Sequence, residues 1–159
     1  MRLIPAFTLV ALLMSSCATT MTGDNVTENK IPKRDIQSVT FINGSPPVSA
    51  KMRRDKSLKV DSDLNTKMEI KDGYNTVLSE KAGMITRDQF EAITEKLNAS
   101  NYIYLKPAKP SGQSALGSGK QILIVNSDLG AHRFVNGGGV GFPEPISEVF
   151  AMKDQLSPK

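Results

Sequence analysis

Apolar and polar residues alternate in short runs over much of the chain, and the alternation predicts strands. Val39 and Phe41 share one face of Gln37–Asn43 while Thr40 and Ile42 share the other. Gly44-Ser45-Pro46-Pro47 breaks that run. Val48, Ala50 and Met52 then alternate with Ser49, Lys51 and Arg53, the pattern of a half-buried strand. Asp55-Lys56-Ser57 reads as a turn, and Leu58 and Val60 point inward again between Lys59 and Asp61. Asn65-Thr66 reads as another turn. Met68 and Ile70 alternate with Lys67, Glu69 and Lys71 up to Asp72-Gly73, a strong turn signal. Tyr74–Leu78 adds a short strand. The series describes an antiparallel meander with one wet face.

At Thr86 the period changes. Thr86-Arg87-Asp88-Gln89 is a capping box, and Ile85 and Phe90 stand at the spacing of a hydrophobic staple. Asp88 suits the positive end of the helix dipole. Phe90, Ile93 and Leu97 form the buried stripe, and Asn98–Asn101 ends the helix. Tyr102–Leu105 reads as extended up to Pro107. The Gly-, Ser- and Pro-rich stretch Ala108–Lys120 reads as loop. Gln121–Asn126, with four continuous apolar residues, is the segment expected to be most buried. Ser127–Gly130 turns it, and His132–Val135 returns as a partner strand. A closing helix begins at Pro145, carries Ile146, Val149 and Phe150 on its core face, and stops at Ser157-Pro158. The fold class expected is α+β: a small antiparallel sheet with one central and one C-terminal helix packed on one face.

The N-terminal residues have another character. Met1-Arg2 is basic, Leu3–Met14 is an uncharged apolar run, and Ser15-Ser16 are small. These are the three regions of a secretory signal. A run of twelve residues falls short of the roughly 20 that span a bilayer. Cys17, the only cysteine, follows the small residues. Leu13-Met14-Ser15-Ser16-Cys17 resembles the lipobox of bacterial lipoproteins, with Met14 where that family usually has leucine. The resemblance implies a cut before Cys17, diacylation of its thiol and acylation of the new amino terminus. Three acyl chains anchor a protein where one holds weakly. Ala18, in place of the aspartate that favours the inner membrane, implies the outer membrane, with the protein facing the periplasm or the cell surface. The expected organisation is a signal peptide over residues 1–16, a polar tether over 17–36 and one domain over 37–159.

Composition narrows the function. Apolar residues make up 39% of the chain and there is no Trp, so the core is modest and aliphatic. One cysteine allows no internal disulfide. The net charge of +4 is spread thinly, with only Lys51-Met52-Arg53-Arg54 clustered, which is too sparse for a nucleic-acid surface. That cluster is otherwise a solvated surface or a contact for anionic headgroups or polysaccharide.

Four stretches invite chemistry. Gly117-Ser118-Gly119-Lys120 lacks the Gly and Ser/Thr of a phosphate loop, with Ser114 and Gln121 at those places, and it precedes a strand. The glycines of Gly137–Gly141 precede a helix, but their spacing fits a turned loop. Asp61-Ser62-Asp63-Leu64-Asn65 alternates oxygen ligands like a calcium loop, yet Thr66 replaces its glycine. His132, the only histidine, has no second His and no Cys within the domain to share a zinc, and no nucleophile-elbow sequence accompanies it. No catalytic, metal or cofactor-binding residue is assigned; the one modification site is Cys17. The order strands, helix, strands, helix, with Ile85–Leu97, Leu105-Lys106-Pro107 and the Pro145-led helix, is also similar to emfourin-like inhibitors of thermolysin-type proteases. A glycine-aromatic turn would follow the first strand in that family; here Asn43-Gly44-Ser45-Pro46-Pro47 follows it. The leading expectation is a non-enzymatic envelope lipoprotein that binds a protein or cell-wall partner, and no nucleic acid. A membrane-displayed protease inhibitor and an enzyme with an unrecognised site are the alternatives.

Overall fold

The computed structural model describes residues 32–109 and 119–156. Six strands form one antiparallel sheet: β1 (Ile36–Asn43), β2 (Asp55–Asp61), β3 (Asn65–Lys71), β4 (Val77–Met84), β5 (Gln121–Ser127) and β6 (Gly130–Asn136). Their spatial order is β4-β3-β2-β1-β5-β6. The first four make a meander; the β5–β6 hairpin returns after the central helix and pairs on the free side of β1. Helices α1 (Arg87–Ala99), α2 (Glu144–Ala151) and the single turn α3 (Lys153–Leu156) complete an α+β architecture.

The register explains the core. Thr66, Val60, Val39 and Val125 lie in one cross-strand row, and Met68, Leu58, Phe41, Leu123 and Phe134 in the next. Residues two apart along a strand share a face, so these rows make one continuous apolar surface. Ile93 and Leu97 of α1 and Ile146 and Val149 of α2 are fully buried in the same cluster. The Phe150 ring meets Phe41 edge-on at 5.8 Å and Phe142 at 5.1 Å. On the opposite face, Lys59, Lys67, Glu69 and Glu80 stand over β2–β4, and Ile42, Ile122, Ile124 and Val135 are half-buried over β1, β5 and β6.

The capping box is formed: the Gln89 amide donates to Thr86 Oγ1 at 3.3 Å, and the Thr86 amide donates to Gln89 Oε1 at 2.9 Å. Gln89 Nε2 also donates to the Gln155 carbonyl at 3.1 Å, which ties the start of α1 to α3. Lys96 of α1 is ion-paired with Glu148 of α2.

Several expectations of local structure are corrected. Residues 48–54 form a turn in place of a strand. The Met52 and Arg53 amides donate to the Ser49 carbonyl, so Val48 and Met52 stay exposed. Asp55-Lys56-Ser57 is the start of β2, because each pairs with β3 (Asp55 with Lys71). The turn read at Asn65-Thr66 lies just before them, at Ser62–Leu64. The fourth strand runs over Val77–Met84, past the expected Tyr74–Leu78, because Asp72 Oδ1 accepts from the Tyr74 and Thr76 amides at 2.9 Å and holds residues 72–76 as a turn. Tyr102–Tyr104 is a 3-10 turn and not extended. Asn101 takes a left-handed φ of 49°, which Asn tolerates, and this swings Tyr102 into the core while Tyr104 stays outside. The C-terminal helix starts at Glu144 behind Pro143, so Pro145 is its second residue, where the missing N–H has no intrahelical acceptor to lose. In β5, Leu123 and Val125 are fully buried, whereas Ile122 and Ile124 face the other side and are half-buried.

Cys17, the signal-like run and Ser157-Pro158 lie outside the described residues. Of the segment read as tether, Arg34 to Ile36 belong to the folded unit. Asn98 grips the Arg34 backbone from both sides, with Oδ1 accepting from its amide at 2.8 Å and Nδ2 donating to its carbonyl at 3.2 Å, and Ile36 is buried.

Truncation of Phe41 to Ala should lower the unfolding free energy by about 3–5 kcal/mol, and Thr86→Ala by about 1 kcal/mol. Urea unfolding followed by circular dichroism measures both. Equal, small losses would contradict the placement of Phe41 at the centre of the core.

Candidate functional site

Two of the four chemical candidates resolve into turn chemistry. Asp61 Oδ1 accepts from the Asp63 and Asn65 amides at 3.1 and 3.0 Å, and Leu64 adopts a left-handed φ of 68°. The calcium-like spacing therefore builds the β2–β3 turn. Gly137, Gly138 and Gly139 all have positive φ, at 124°, 66° and 88°, which side chains resist. They fold the chain back after β6, closed by the Gly137 amide donating to the Val140 carbonyl at 2.8 Å. Gly117 and Ser118 lie outside the described residues; Lys120 leads directly into β5, so no helix opens there. Among the described residues no group of three or more His, Cys, Asp or Glu side chains stands ready to hold a metal ion.

The fourth candidate lies in a cleft. His132 is inside β6, on the core side, and its ring meets the buried Tyr102 ring edge-on at 5.6 Å with an interplanar angle of 89°. Neither His132 Nδ1 nor the Tyr102 hydroxyl has a hydrogen-bond partner, although both atoms are buried. Beside them a cavity of about 340 Å³ runs along β6, lined by His132, Arg133, Phe134 and Val135 on one side and by Leu105, Pro107, Val140 and Pro143 on the other.

The backbone along this cleft is as informative as the side chains. Ser127 and Gly130 close the two-residue β5–β6 hairpin as a hydrogen-bonded pair, so even-numbered residues of β6 bond to β5. The N–H and C=O groups of Ala131, Arg133 and Val135 consequently point to the other side, where β6 is the edge of the sheet. Among the described residues nothing pairs with them. The returning segment begins to pair at Val140, but Gly141 gives both its backbone groups to Ala108 on the far side. Pro107 and Pro143 offer no N–H at all. The cleft is thus an apolar slot with one hydrogen-bonding wall.

The charged groups whose titration is shifted stand elsewhere. Lys71 and Lys67 hydrogen-bond Glu69 and hold its carboxyl below the usual carboxylate range. Partial burial works against the charge on Asp55, but hydrogen bonds from Arg53 and from the Ser45 amide outweigh it and lower its pKa too. Both are carboxylates fixed in their charged form, the reverse of what a general acid needs.

A scan of the sequence against protein-family models finds no match, and a search of curated proteins finds none. Among the described residues no helix is long and apolar enough to cross a membrane.

Sequence reasoning singled out His132 but missed Arg133, Val135 and the opposite wall. Strand order decides which backbone is free, and order is not written in any one segment. No local signal marks these residues, since Pro107 and Pro143 lie in connections and not in a strand.

Arg133→Pro removes an outward-pointing N–H and no ladder hydrogen bond, so its cost is limited to the lost side chain and to fixing φ at this edge position. Phe134→Pro, measured against Phe134→Ala so that loss of the buried ring cancels, removes a bond to β5 and should cost about 3 kcal/mol or more. Thermal unfolding of the two variants tests the assignment; a reversed order would show that the free edge has been misplaced.

Proposed function

We propose that this protein is a non-enzymatic lipoprotein of the bacterial cell envelope, anchored at the outer membrane through Cys17, whose domain binds a partner protein by receiving an extended segment of it along β6. The observation that carries the binding reading is the edge of β6, unpaired among the described residues, facing an apolar slot. Main-chain hydrogen bonds from an added strand supply affinity, and pockets for alternate side chains supply selectivity.

The contrast between the two sheet edges supports it. The outer edge, β4, carries Glu80 and Lys81, and Lys67 bridges Glu69 and Glu80 across the adjoining strands. Charge of this kind discourages a further strand from pairing. On β6 the exposed backbone is flanked by Ala131 and Val135 with a single charge, Arg133. An incoming strand would place alternate side chains against Phe134, His132, Leu105 and Pro107, and the others beside Arg133. Apolar residues at every second position, with an acidic residue between them, match that wall. The anchor reading rests on the N-terminal sequence: the basic start, the apolar run of twelve residues and the lone cysteine behind two serines.

Two measurements test the two halves. Palmitate should label the wild type and not Cys17→Ala; equal labelling refutes the anchor. A photo-crosslinking residue at position 131 should form a partner adduct in cells, with the crosslink mapping to one extended segment of that partner, while the same residue at position 81 forms none. Arg133→Pro should abolish the adduct. An adduct that survives Arg133→Pro refutes strand addition.

A further inference from the structure

At the end of the sheet where β1 finishes, two loops come together. Residues 44–54 connect β1 to β2, and residues 72–76 connect β3 to β4. The Gly73 amide donates to the Ala50 carbonyl at 3.0 Å. A Cβ on Gly73 would lie 2.6 Å from the Ala50 Cα, so the contact requires glycine. Asp55 braces the first loop, accepting from the Ser45 amide and from Arg53 Nε, both at 2.8 Å.

The joined loops carry an unusual surface. Met52 and Tyr74 are 71% and 70% exposed, and Val48, Val77 and Leu78 are exposed as well. Five of the eight large exposed apolar residues of the described structure are in this one region, and the other three are Met84, Tyr104 and Leu129. Residues 48–56 and 71–78 contain five basic side chains (Lys51, Arg53, Arg54, Lys56 and Lys71) and two acidic ones, Asp55 and Asp72. Both acids are already engaged, Asp55 by Arg53 and Ser45, and Asp72 by the Tyr74 and Thr76 amides. Arg53 and Lys71 are paired in turn, with Asp55 and Glu69, which leaves Lys51, Arg54 and Lys56 as a net positive ring around apolar and aromatic tips.

We infer that this loop pair is a second membrane contact, which docks on a bilayer surface rich in anionic phospholipid. Tyr is suited to the interface, with an apolar ring and a polar end, and basic side chains keep their charge among headgroups while their stems cover apolar surface. Each Lys or Arg near an anionic surface adds about 1 kcal/mol. The geometry of the chain permits both contacts on one bilayer. Nineteen residue steps separate Cys17 from Ile36, and extended chain covers at most ~3.6 Å per step, or about 70 Å. The eight residues of β1 that separate Ile36 from the loop end cover only about 27 Å. The inference uses the anchor of the proposed function to bring the loops to the membrane, but the loop chemistry stands without it.

In the acylated protein the only native thiol is consumed, so a spin label can be placed by Met52→Cys, Asn75→Cys or Leu129→Cys. Leu129 sits in the β5–β6 turn at the opposite end of the sheet. The acylated full chain is reconstituted in vesicles of phosphatidylethanolamine with or without phosphatidylglycerol, and oxygen and nickel-chelate accessibilities give the label depth. Labels at 52 and 75 should enter the headgroup or acyl region in the phosphatidylglycerol vesicles, while 129 stays in water. Lys51→Gln with Arg54→Gln should weaken the docked state roughly thirty-fold, and Gly73→Ala should release it while Met52 and Tyr74 are retained. Labels at 52 and 75 that remain in water overturn the inference. So does spin–spin broadening at 52 without a change of depth, which would assign the loops to a second copy of the chain. Palmitate labelling of the same preparation separates failure of the anchor from failure of the loops. If Cys17 is unmodified, the unacylated Cys17→Ala chain is added to the same vesicles, and the depth at 52 and 75 decides in the same way.

Discussion

The structure depends on burying one face of a six-stranded sheet under two helices that cannot cover all of it. Val39 and Phe41 on β1 pair with Val60 and Leu58 on one side and with Val125 and Leu123 on the other, and all six residues are buried. Ile93 and Leu97 of α1 and Ile146 and Val149 of α2 close over that centre. Because burial of apolar area is the main favourable term in folding, this centre sets the register of every other strand. A slip of one residue would turn the buried rows outward. The margins of the sheet are left to other devices, and the two margins use different ones.

At β4 the device is charge, with Lys67 shared between Glu69 and Glu80 across the strands. At β6 it is a partial cover: the chain turns back through three left-handed glycines, starts to pair at Val140, and is then drawn away by Gly141 and Ala108. The slot that remains has hydrogen-bonding groups on one wall and apolar side chains on the other. A free edge of this composition invites pairing, and the proposed function makes use of it. His132 belongs to this slot through its position on the strand.

The fold class was legible because each level of the sequence agreed with the next. The capping box at Thr86, the stripe Phe90, Ile93 and Leu97, and the alternation in Gln37–Asn43 are local signals read with local rules, and each stands in the structure. The errors fell where tertiary contact overrides alternation. Val48, Ala50 and Met52 alternate like a strand, but the neighbouring Asp55 braces Ser45 and Arg53, and the backbone bonds within 49–53 make a turn. Tyr102–Leu105, bounded by Pro107, reads as extended, and a left-handed Asn101 turns it into a single 3-10 turn. Of the site, only His132 was visible. Arg133 and Val135 matter through backbone direction, which follows from hairpin register and strand order, and neither is encoded in the identity of those residues.

Central to this account is an edge of β6 with which, among the described residues, nothing pairs. Residue-resolved amide hydrogen exchange of the purified full chain measures that property directly. The amides of His132 and Phe134, which bond to β5, should exchange slowly, and those of Arg133 and Val135 rapidly, an alternation along a single strand. Uniformly slow exchange from 131 to 135 would mean that the edge is already covered, and the strand-addition account would be wrong.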